Sequence, residues 1–192
     1  MARPKTFDPS MALEQAMAVF WLKGYEATSM QDLVVAMGIN RASLYATFED
    51  KRQLFLDAIA HYNDTVVRPA IAPLEAPGAA KAEILQHFQR SATSGSGSQR
   101  GCLMTNAIVE CAPHDPVLAT QLRRLMQTVE DGFYAALVRA RDQGEIGSDR
   151  DLRALARYFV ASLQGLRVMA RSGASPETLQ DVATTIVSVL DC

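Results

Sequence analysis

Arg41 and the small side chains beside it are the residues best suited to chemistry with another molecule. They lie in the segment from Asn40 to Thr47, which also contains Ala42 and Ser43. A guanidinium can donate two parallel hydrogen bonds to the O6 and N7 acceptors of guanine, and small neighbours allow close approach to base edges. We therefore predict that this segment is a helix that enters the major groove of double-stranded DNA.

The flanking residues indicate how that helix is positioned. A helix over about residues 30–37 precedes a tight turn at Gly38, Ile39 and Asn40. Gly38 suits the left-handed backbone that ends a helix, and Asn40 is a favoured N-cap for the next one. The pattern predicts a helix-turn-helix, although an ordinary helical corner has the same local features. Its small core is expected to contain Phe20, Leu33, Ala36, Ile39, Leu44 and Phe48.

A longer pattern of spaced residues surrounds this turn. It consists of Phe20, Gly24-Tyr25, Thr28-Ser29, Gly38, Leu44-Tyr45, Phe48 and Lys51. As a set, these residues resemble the TetR family of repressors over about 50 residues. The resemblance implies a DNA-binding domain over residues 1–50 and a ligand-binding and dimerisation domain over residues 51–192. It also implies a homodimer that binds a palindromic operator and releases it on binding a small molecule, with repression favoured over activation.

The resemblance further implies individual DNA contacts. Thr28 or Ser29 opens a helix, where a hydroxyl and free amides suit a phosphate. Tyr45, Thr47 and Lys51 match positions at which family members contact backbone phosphates. Relatives often have histidine at position 47, so Thr47 is expected to make a weaker contact. Alternatively, Tyr45 packs in the core and Lys51 is a solvated charge.

Net charge alone does not point to a nucleic-acid partner. The chain has a formal charge of −2, and residues 1–52 carry six basic and six acidic side chains. Affinity for DNA must therefore come from where the charges lie. Arg3 and Lys5 form a short basic arm that is predicted to enter the minor groove, or else a tail without a role.

Composition and spacing predict an all-α protein of nine helices. Alternation of β-branched residues is nearly absent, and glycines fall between periodic apolar segments. The fourth helix is expected to stop near Arg68, because Pro69, Pro73 and Pro77 follow. The helices are predicted over about residues 9–23, 30–37, 41–47, 51–68, 80–92, 102–111, 116–143, 149–171 and 176–190.

Several classes of protein and site are not expected. No apolar run approaches the ~20 residues of a membrane span, and the N-terminus lacks a signal-peptide pattern. We expect no membrane association and a cytoplasmic protein. The three cysteines and three histidines have no ligand spacing, so no metal or cofactor is predicted.

The last two helices are predicted to pair with a second copy of the chain, as the family resemblance implies. A single packed monomer core is the alternative. Gly132 and Gly165, inside predicted helices, indicate close helix approach, space for a ligand or tolerated drift. The predicted dimer-interface residues are Val160, Gln164, Val168, Arg171, Leu179, Val182 and Ile186.

The family resemblance implies that helices four to seven enclose a cavity for an unidentified effector. Pockets combine apolar walls with a few polar groups, and plain core packing or a solvated charge is the alternative for each candidate. The candidates are Tyr62, Phe88, Met104, Asn106, Glu110, Met126, Phe133, Phe159 and Arg167.

Cys102 is a candidate redox or electrophile sensor. It follows the low-complexity stretch 94–100, predicted to be mobile, and opens a helix beside Arg100. Both features favour a thiolate, whereas a small buried helix residue is the alternative. An enzyme with Cys102 as nucleophile is disfavoured, because no His or Asp forms a recognisable signature with it. Such an enzyme would leave the helix-turn-helix unexplained, so no catalytic residue is predicted. A purely structural helical protein would leave it unexplained as well.

Overall fold

A computed structural model describes residues 7–78, 80–95 and 100–191 of the chain. Arg3 and Lys5 lie outside the described residues, as do residues 96–99 of the stretch predicted to be mobile. The DNA-binding role of that basic arm and the mobility of that stretch therefore stay predictions. Within the described ranges all regular secondary structure is helical, and no helix is long and apolar enough to cross a membrane.

The predicted all-α fold of nine helices is confirmed for the described part of the chain, when the continuous helical element over residues 51–75 is counted once. That element, α4, has three consecutive parts: Lys51–Tyr62, the π-helical Asn63–Val67 and Arg68–Glu75. The others are α1 Pro9–Lys23, α2 Met30–Met37, α3 Arg41–Phe48, α5 Ala80–Gly95, α6 Leu103–Glu110, α7 Pro116–Asp142, α8 Leu152–Arg171 and α9 Pro176–Ser188, with a 3₁₀ turn at Val189–Asp191.

The prediction that α4 stops near Arg68 is wrong. Pro69 lies in the first turn of the part that follows the π-helical segment, where the regular i−4 hydrogen bonding is already interrupted. Pro73 also lies inside this part. The helix ends at Glu75, and its C-cap residue Ala76 has extended backbone (φ −71°, ψ 152°). Pro77 follows it, and a proline disfavours helical geometry in the preceding residue.

Side-chain caps begin α1 and α3, and the caps at Asn40 and Gly38 are as predicted. The Asp8 side chain accepts a hydrogen bond from the Ser10 N–H at 2.8 Å, and Asn40 accepts one from the Ser43 N–H at 2.8 Å. Gly38 ends α2 in the left-handed conformation, with φ 63° and ψ 27°. Each cap satisfies a backbone group that the end of a helix leaves unpaired, so the turn between α2 and α3 is defined by local interactions.

Two aromatic clusters hold the helices together. Phe20 of α1 is fully buried and meets Phe55 of α4 edge-on, with ring centroids 4.9 Å apart. This contact joins the three N-terminal helices to the rest of the chain. Phe88, Phe133 and Phe159, from α5, α7 and α8, are fully buried with centroids 5.5–5.7 Å apart. The burial of large rings accounts for much of the stabilisation of both cores.

Candidate nucleic-acid interface and effector cavity

Helix α3 presents one polar and small face to solvent. Arg41, Ala42 and Tyr45 are exposed, whereas Leu44 and Phe48 are buried beneath them. The Arg41 guanidinium carbon lies 6.0 Å from the centroid of the Tyr45 ring. Tyr45 is therefore not a core residue. Asn40 and Ala46 are also exposed, and Ser43 and Thr47 are half-buried.

The two candidates at the start of α2 differ in accessibility. Thr28 is 1% exposed, and its hydroxyl donates to the carbonyl of Gly24. The prediction of a phosphate contact from Thr28 is corrected, because its hydroxyl stabilises the preceding turn. Ser29 is exposed and forms a capping box with Asp32. The Ser29 hydroxyl and the first amides of α2 therefore lie at the surface.

Two of the four basic side chains within residues 7–58 already have carboxylate partners. Lys23 pairs with Asp32 at 2.7 Å, and Arg52 pairs with Asp115 through two hydrogen bonds of 2.8 and 3.1 Å. These bonds hold the pKa of both carboxyl groups below their usual values. Within residues 7–58, Arg41 and Lys51 are the basic side chains with no carboxylate within 4 Å.

Lys51 lies half-buried at the start of α4, with its Nζ 4.4 Å from the centroid of the Tyr25 ring. An ammonium group above an aromatic face is stabilised by the ring quadrupole. Lys51 is therefore held near the surface by a cation–π contact and is not a freely solvated charge.

A cavity of about 50 Å³ lies among helices α4 to α8. Tyr62 and the π-helical segment form one side, and Met126 and Arg167 lie on the α7 and α8 sides. Burial raises the pKa of the Tyr62 phenol well above its usual value, and the neighbouring Cys102 thiol adds to the effect. The wall is mostly apolar with a few polar groups, as small-molecule sites generally are.

The comparisons with known proteins match both halves of the chain. Residues 12–58 match the family model "Bacterial regulatory proteins, tetR family", and residues 78–186 match "Tetracyclin repressor-like, C-terminal domain". The chain belongs to the TetR family of transcriptional regulators. Proteins of this family bind DNA to regulate transcription and are not enzymes.

Individual relatives match over most or all of their length. The uncharacterised HTH-type transcriptional regulator YezE of Bacillus subtilis is 42% identical over 194 residues, covering 100% of both chains. The HTH-type transcriptional repressor ComR of Escherichia coli is 34% identical over 95% of this chain and 89% of its own. A cysteine variant of the TetR-family regulator CifR, complexed with 26-base-pair operator DNA, has a TM-score of 0.89 and 29% identity, covering 98% of this chain and 100% of its own.

Four of the nine effector candidates lie on the wall of this cavity: Tyr62, Met104, Met126 and Arg167. Phe88, Phe133 and Phe159 do not, because they form the aromatic cluster of the core. Their prediction as ligand contacts is corrected. The apolar character of these residues in the sequence did not distinguish a core from a cavity wall.

Asn106 and Glu110 are also corrected. The Asn106 amide donates to the carbonyl of Arg100 at 3.0 Å. The Glu110 carboxylate accepts the backbone N–H groups of Tyr25 and Glu26, each at 2.9 Å. Both side chains are therefore structural links and do not line the cavity.

The cavity wall also contains residues that were not among the ligand candidates. His87, Cys102, Thr105 and Gln164 line it. The only signal that could have indicated His87 was its helical spacing from Ile84 and Ser91, which places it on the inward face of α5. Cys102 is the N-cap residue of α6, as predicted. The guanidinium carbon of Arg100 lies 5.8 Å from the centroid of the Trp21 ring.

Several predicted dimer-interface residues make their contacts inside their own subunit. Leu179 and Ile186 are 0% and 6% exposed and pack in the core. Val160 and Gln164 line the cavity. The interface predictions for Leu179 and Ile186 are corrected, whereas those for the half-buried Val160 and Gln164 stay predictions.

Arg171 is half-buried and makes contacts within its own subunit, and its role at an interface stays a prediction. Its guanidinium donates to the carbonyl of Arg100 at 2.8 Å and to that of Trp21 at 3.5 Å. It therefore ties the end of α8 to α1 and to the segment before α6.

A different face of α8 remains uncovered. Val168 is 54% exposed, Tyr158 is 42% exposed, and a Cβ added at Gly165 would meet nothing within 4 Å. Together with exposed Ala154 and Ala161, these residues recur every three or four positions and form one stripe, which we call the α8 stripe. Val182 of α9 is half-buried.

Proposed function

We propose that this protein is a ligand-responsive repressor that binds a palindromic operator as a homodimer. The observation that carries the proposal is the exposed face of α3, where Arg41, Ala42 and Tyr45 project from a helix fixed by Leu44 and Phe48. Among the relatives, ComR is named a repressor and CifR is complexed with operator DNA. Operator binding requires access to the chromosome, so we propose the cytoplasm as its compartment.

The supporting contacts for DNA would come from both sides of α3. Arg41 is the candidate for reading a guanine, with Asn40, Ala42 and Ser43 beside it. Ser29, Tyr45, Thr47 and Lys51 remain the candidates for phosphate contacts, with Arg3 and Lys5 as a minor-groove arm. Phosphate contacts fix the register of a protein on DNA, whereas base contacts determine the sequence that it prefers.

Dimerisation is proposed to use the α8 stripe. Gly165 and the two alanines would let a second α8 approach closely, and Tyr158 and Val168 would supply apolar area. With a twofold axis through this stripe, the α8 stripe of one subunit packs against the α8 stripe of the other, as in closed dimers. Val182 would extend the contact to α9, giving four helices between the subunits.

Release from DNA is proposed to act through α6. This helix begins at Cys102, on the cavity wall, and ends at Glu110, whose carboxylate accepts the N–H groups of Tyr25 and Glu26. An effector that enlarges the cavity would displace the start of α6 and with it the DNA-binding helices. The effector would thereby favour a conformation in which the two α3 helices no longer match the operator.

Covalent modification of Cys102 by an electrophile or oxidant is a second candidate signal. The specific observation is that Cys102 lines the cavity and is half-buried, so an added group would occupy the same space as an effector. Cys111 is a poorer target, because burial raises the pKa of its thiol to about 11. If an electrophile releases the DNA from both the Cys102→Ser and the Cys111→Ser variants, this candidate is eliminated.

Genomic footprinting with the purified full-length protein tests the proposed function. We expect protected sites with twofold symmetry and half-sites about one helical turn, ~34 Å, apart or a simple variation of this spacing. A ligand screen scored by release from those sites then tests the response. Protection without symmetry, or none at all, would contradict the proposed dimeric repressor.

A further inference from the structure

Two buried polar atoms at the cavity have no protein partner. His87 is 3% exposed and Thr105 is 6% exposed, and both residues line the cavity. His87 Nε2 and Thr105 Oγ1 are enclosed without a hydrogen-bond partner in the described part of the chain. Buried polar atoms in proteins are nearly always paired. Both residues line the same cavity, so a molecule bound there is the candidate partner for the two atoms.

The tautomer of His87 follows from its other ring nitrogen. Nδ1 lies 3.1 Å from the carbonyl oxygen of Ala70, and a carbonyl oxygen can only accept a hydrogen bond. Nδ1 therefore carries the proton, and Nε2 offers a lone pair. Burial, together with the charges of Arg167 and Arg90, lowers the pKa of His87 to about 4 despite the hydrogen bond to Ala70, so the ring is neutral at pH 7. Nε2 thus needs a donor.

Thr105 completes the complementary pair. Its hydroxyl can donate as well as accept, so the cavity offers one acceptor and one donor from α5 and α6. The remaining wall is largely apolar, with Val67, Ile71 and Val129 among its members and no carboxylate. A hydroxyl group on a ligand would satisfy both atoms, since it can donate to Nε2 and accept from Oγ1.

The cavity is small. Its volume of about 50 Å³ is roughly one third of the ~150 Å³ apolar cavity known to hold benzene. By the same ratio to the six carbons of benzene, it holds about two non-hydrogen atoms, so a larger ligand requires side chains such as Met104 and Met126 to move. Long or polycyclic ligands are therefore poor fits.

We propose that the effector site recognises a short, uncharged, hydroxyl-bearing molecule through His87 and Thr105. The hydroxyl donates to His87 Nε2 and accepts from Thr105 Oγ1, and the apolar end packs against Val67 and Ile71. This proposal rests on the proposed function, because it concerns the same effector cavity.

Charged analogues fit less well. A carboxylate would be attracted by the charge of Arg167, whose guanidinium donates to Ser91 Oγ at 3.3 Å. However, a carboxylate has no proton to donate to the lone pair of His87 Nε2. An ammonium group faces the Arg167 charge and offers no acceptor to the Thr105 hydroxyl.

The test compares 1-propanol, propionate and propylammonium as probes of the full-length protein at pH 7. Trp21 is the single tryptophan of the chain, and it packs edge-on against the cavity residue Tyr62 with centroids 4.9 Å apart. Fluorescence titration thus reports binding without DNA. We expect 1-propanol to bind with Kd of about 0.1–10 mM, and about tenfold or more tightly than either ion.

Thr105→Val keeps the shape but removes the hydroxyl, and it should weaken 1-propanol binding by about fivefold or more. Thr184→Val, on the exposed face of α9, is the matched control and should leave Kd unchanged. Tighter binding of propionate or propylammonium to the wild-type protein overturns the proposal whatever the fold of the variants.

The two proposals fail separately. If 1-propanol binds as expected but operator DNA is not released, the ligand chemistry stands and the release model fails. If a charged molecule releases the operator and 1-propanol does not bind, the ligand chemistry is wrong and the repressor function stands.

Discussion

Glu110 holds the backbone of Tyr25 across 85 positions of sequence, with Oε2 accepting the Tyr25 N–H at 2.9 Å. The same carboxylate accepts the N–H of Glu26 through Oε1. Gly24 lies against it so closely that an added Cβ would be 2.8 Å from Oε2. The end of α6 is thereby joined to the segment between α1 and α2.

Glu110→Gln tests this junction. An amide keeps one acceptor and turns a donor toward the other N–H, so one charge-assisted hydrogen bond is lost. We expect unfolding free energy to fall by about 1–3 kcal/mol and operator affinity to fall by about fivefold or more. Both are measurable by chemical denaturation and by fluorescence anisotropy.

Glu145→Gln is the matched control, because the Glu145 carboxylate accepts the Lys81 N–H at 2.7 Å far from α3. It should lower stability without changing operator affinity. Equal losses of affinity in the two variants would show that Glu110 acts only through stability.

Arg41→Ala should lower operator affinity by about 5- to 100-fold, since a bidentate contact to guanine contributes ~1–3 kcal/mol of discrimination. Arg41 makes no ion pair within the described residues, so folding should not change. Arg68→Ala is the control, because Arg68 is an exposed arginine paired only with Asp64, at 3.6 Å.

The salt dependence of operator binding gives an independent measure of the same contacts. Four basic groups per subunit predict a slope of log affinity against log salt of about −7. The slope should become less negative in Arg41→Ala and stay the same in Arg68→Ala. A slope near zero for the wild type would refute the contact model.

Gly132→Ala is expected to stabilise the protein. An added Cβ would lie 3.7 Å from Ile71 Cβ, an ordinary contact, and alanine is favoured over glycine inside a helix by about 1 kcal/mol. Gly24→Ala should instead destabilise it, because Gly24 has φ 87° and Glu110 lies against it. Thermal unfolding of both variants should give shifts of opposite sign.

Stability should fall on acidification between about pH 6.5 and pH 4 because of His87. Its native pKa is about 4 against an ordinary value of 6.5, so the unfolded chain binds more protons in this window. The full loss is on the order of 3 kcal/mol. Carboxyl groups with a lowered pKa, such as that of Asp115, contribute only as the pH falls below about 4.

The comparison of His87→Gln with the wild type isolates this contribution. The variant should lose much of the slope of unfolding free energy between pH 6.5 and pH 4.5, as measured by urea denaturation. Parallel curves for the two proteins would mean that His87 is not the responsible group.

Val168→Glu should convert the proposed dimer to a monomer. The substitution places a charge in the middle of the α8 stripe, where a partner subunit would bury it without a counter-charge. Val109→Glu is the control, since Val109 is 74% exposed on α6. Sedimentation should show a monomer for the first variant and the wild-type mass for the second.

The local features of the fold were determined by the sequence alone. Asp8, Gly38 and Asn40 act on backbone groups within a few residues, so their roles as caps follow from residue type and spacing. The exposed face of α3 follows in the same way, because Leu44 and Phe48 are its two large side chains without a polar atom.

Only the tertiary structure decided which of the inward residues meet a cavity and which meet each other. His87 and Phe88 are adjacent on α5, yet one lines the cavity and the other packs in the aromatic core. Leu179 is buried within the subunit, whereas Val168 is left exposed. Periodicity defines the faces of a helix, but the neighbour of each face depends on how distant helices pack. The contact between Glu110 and Tyr25 joins parts of the chain that no local pattern relates.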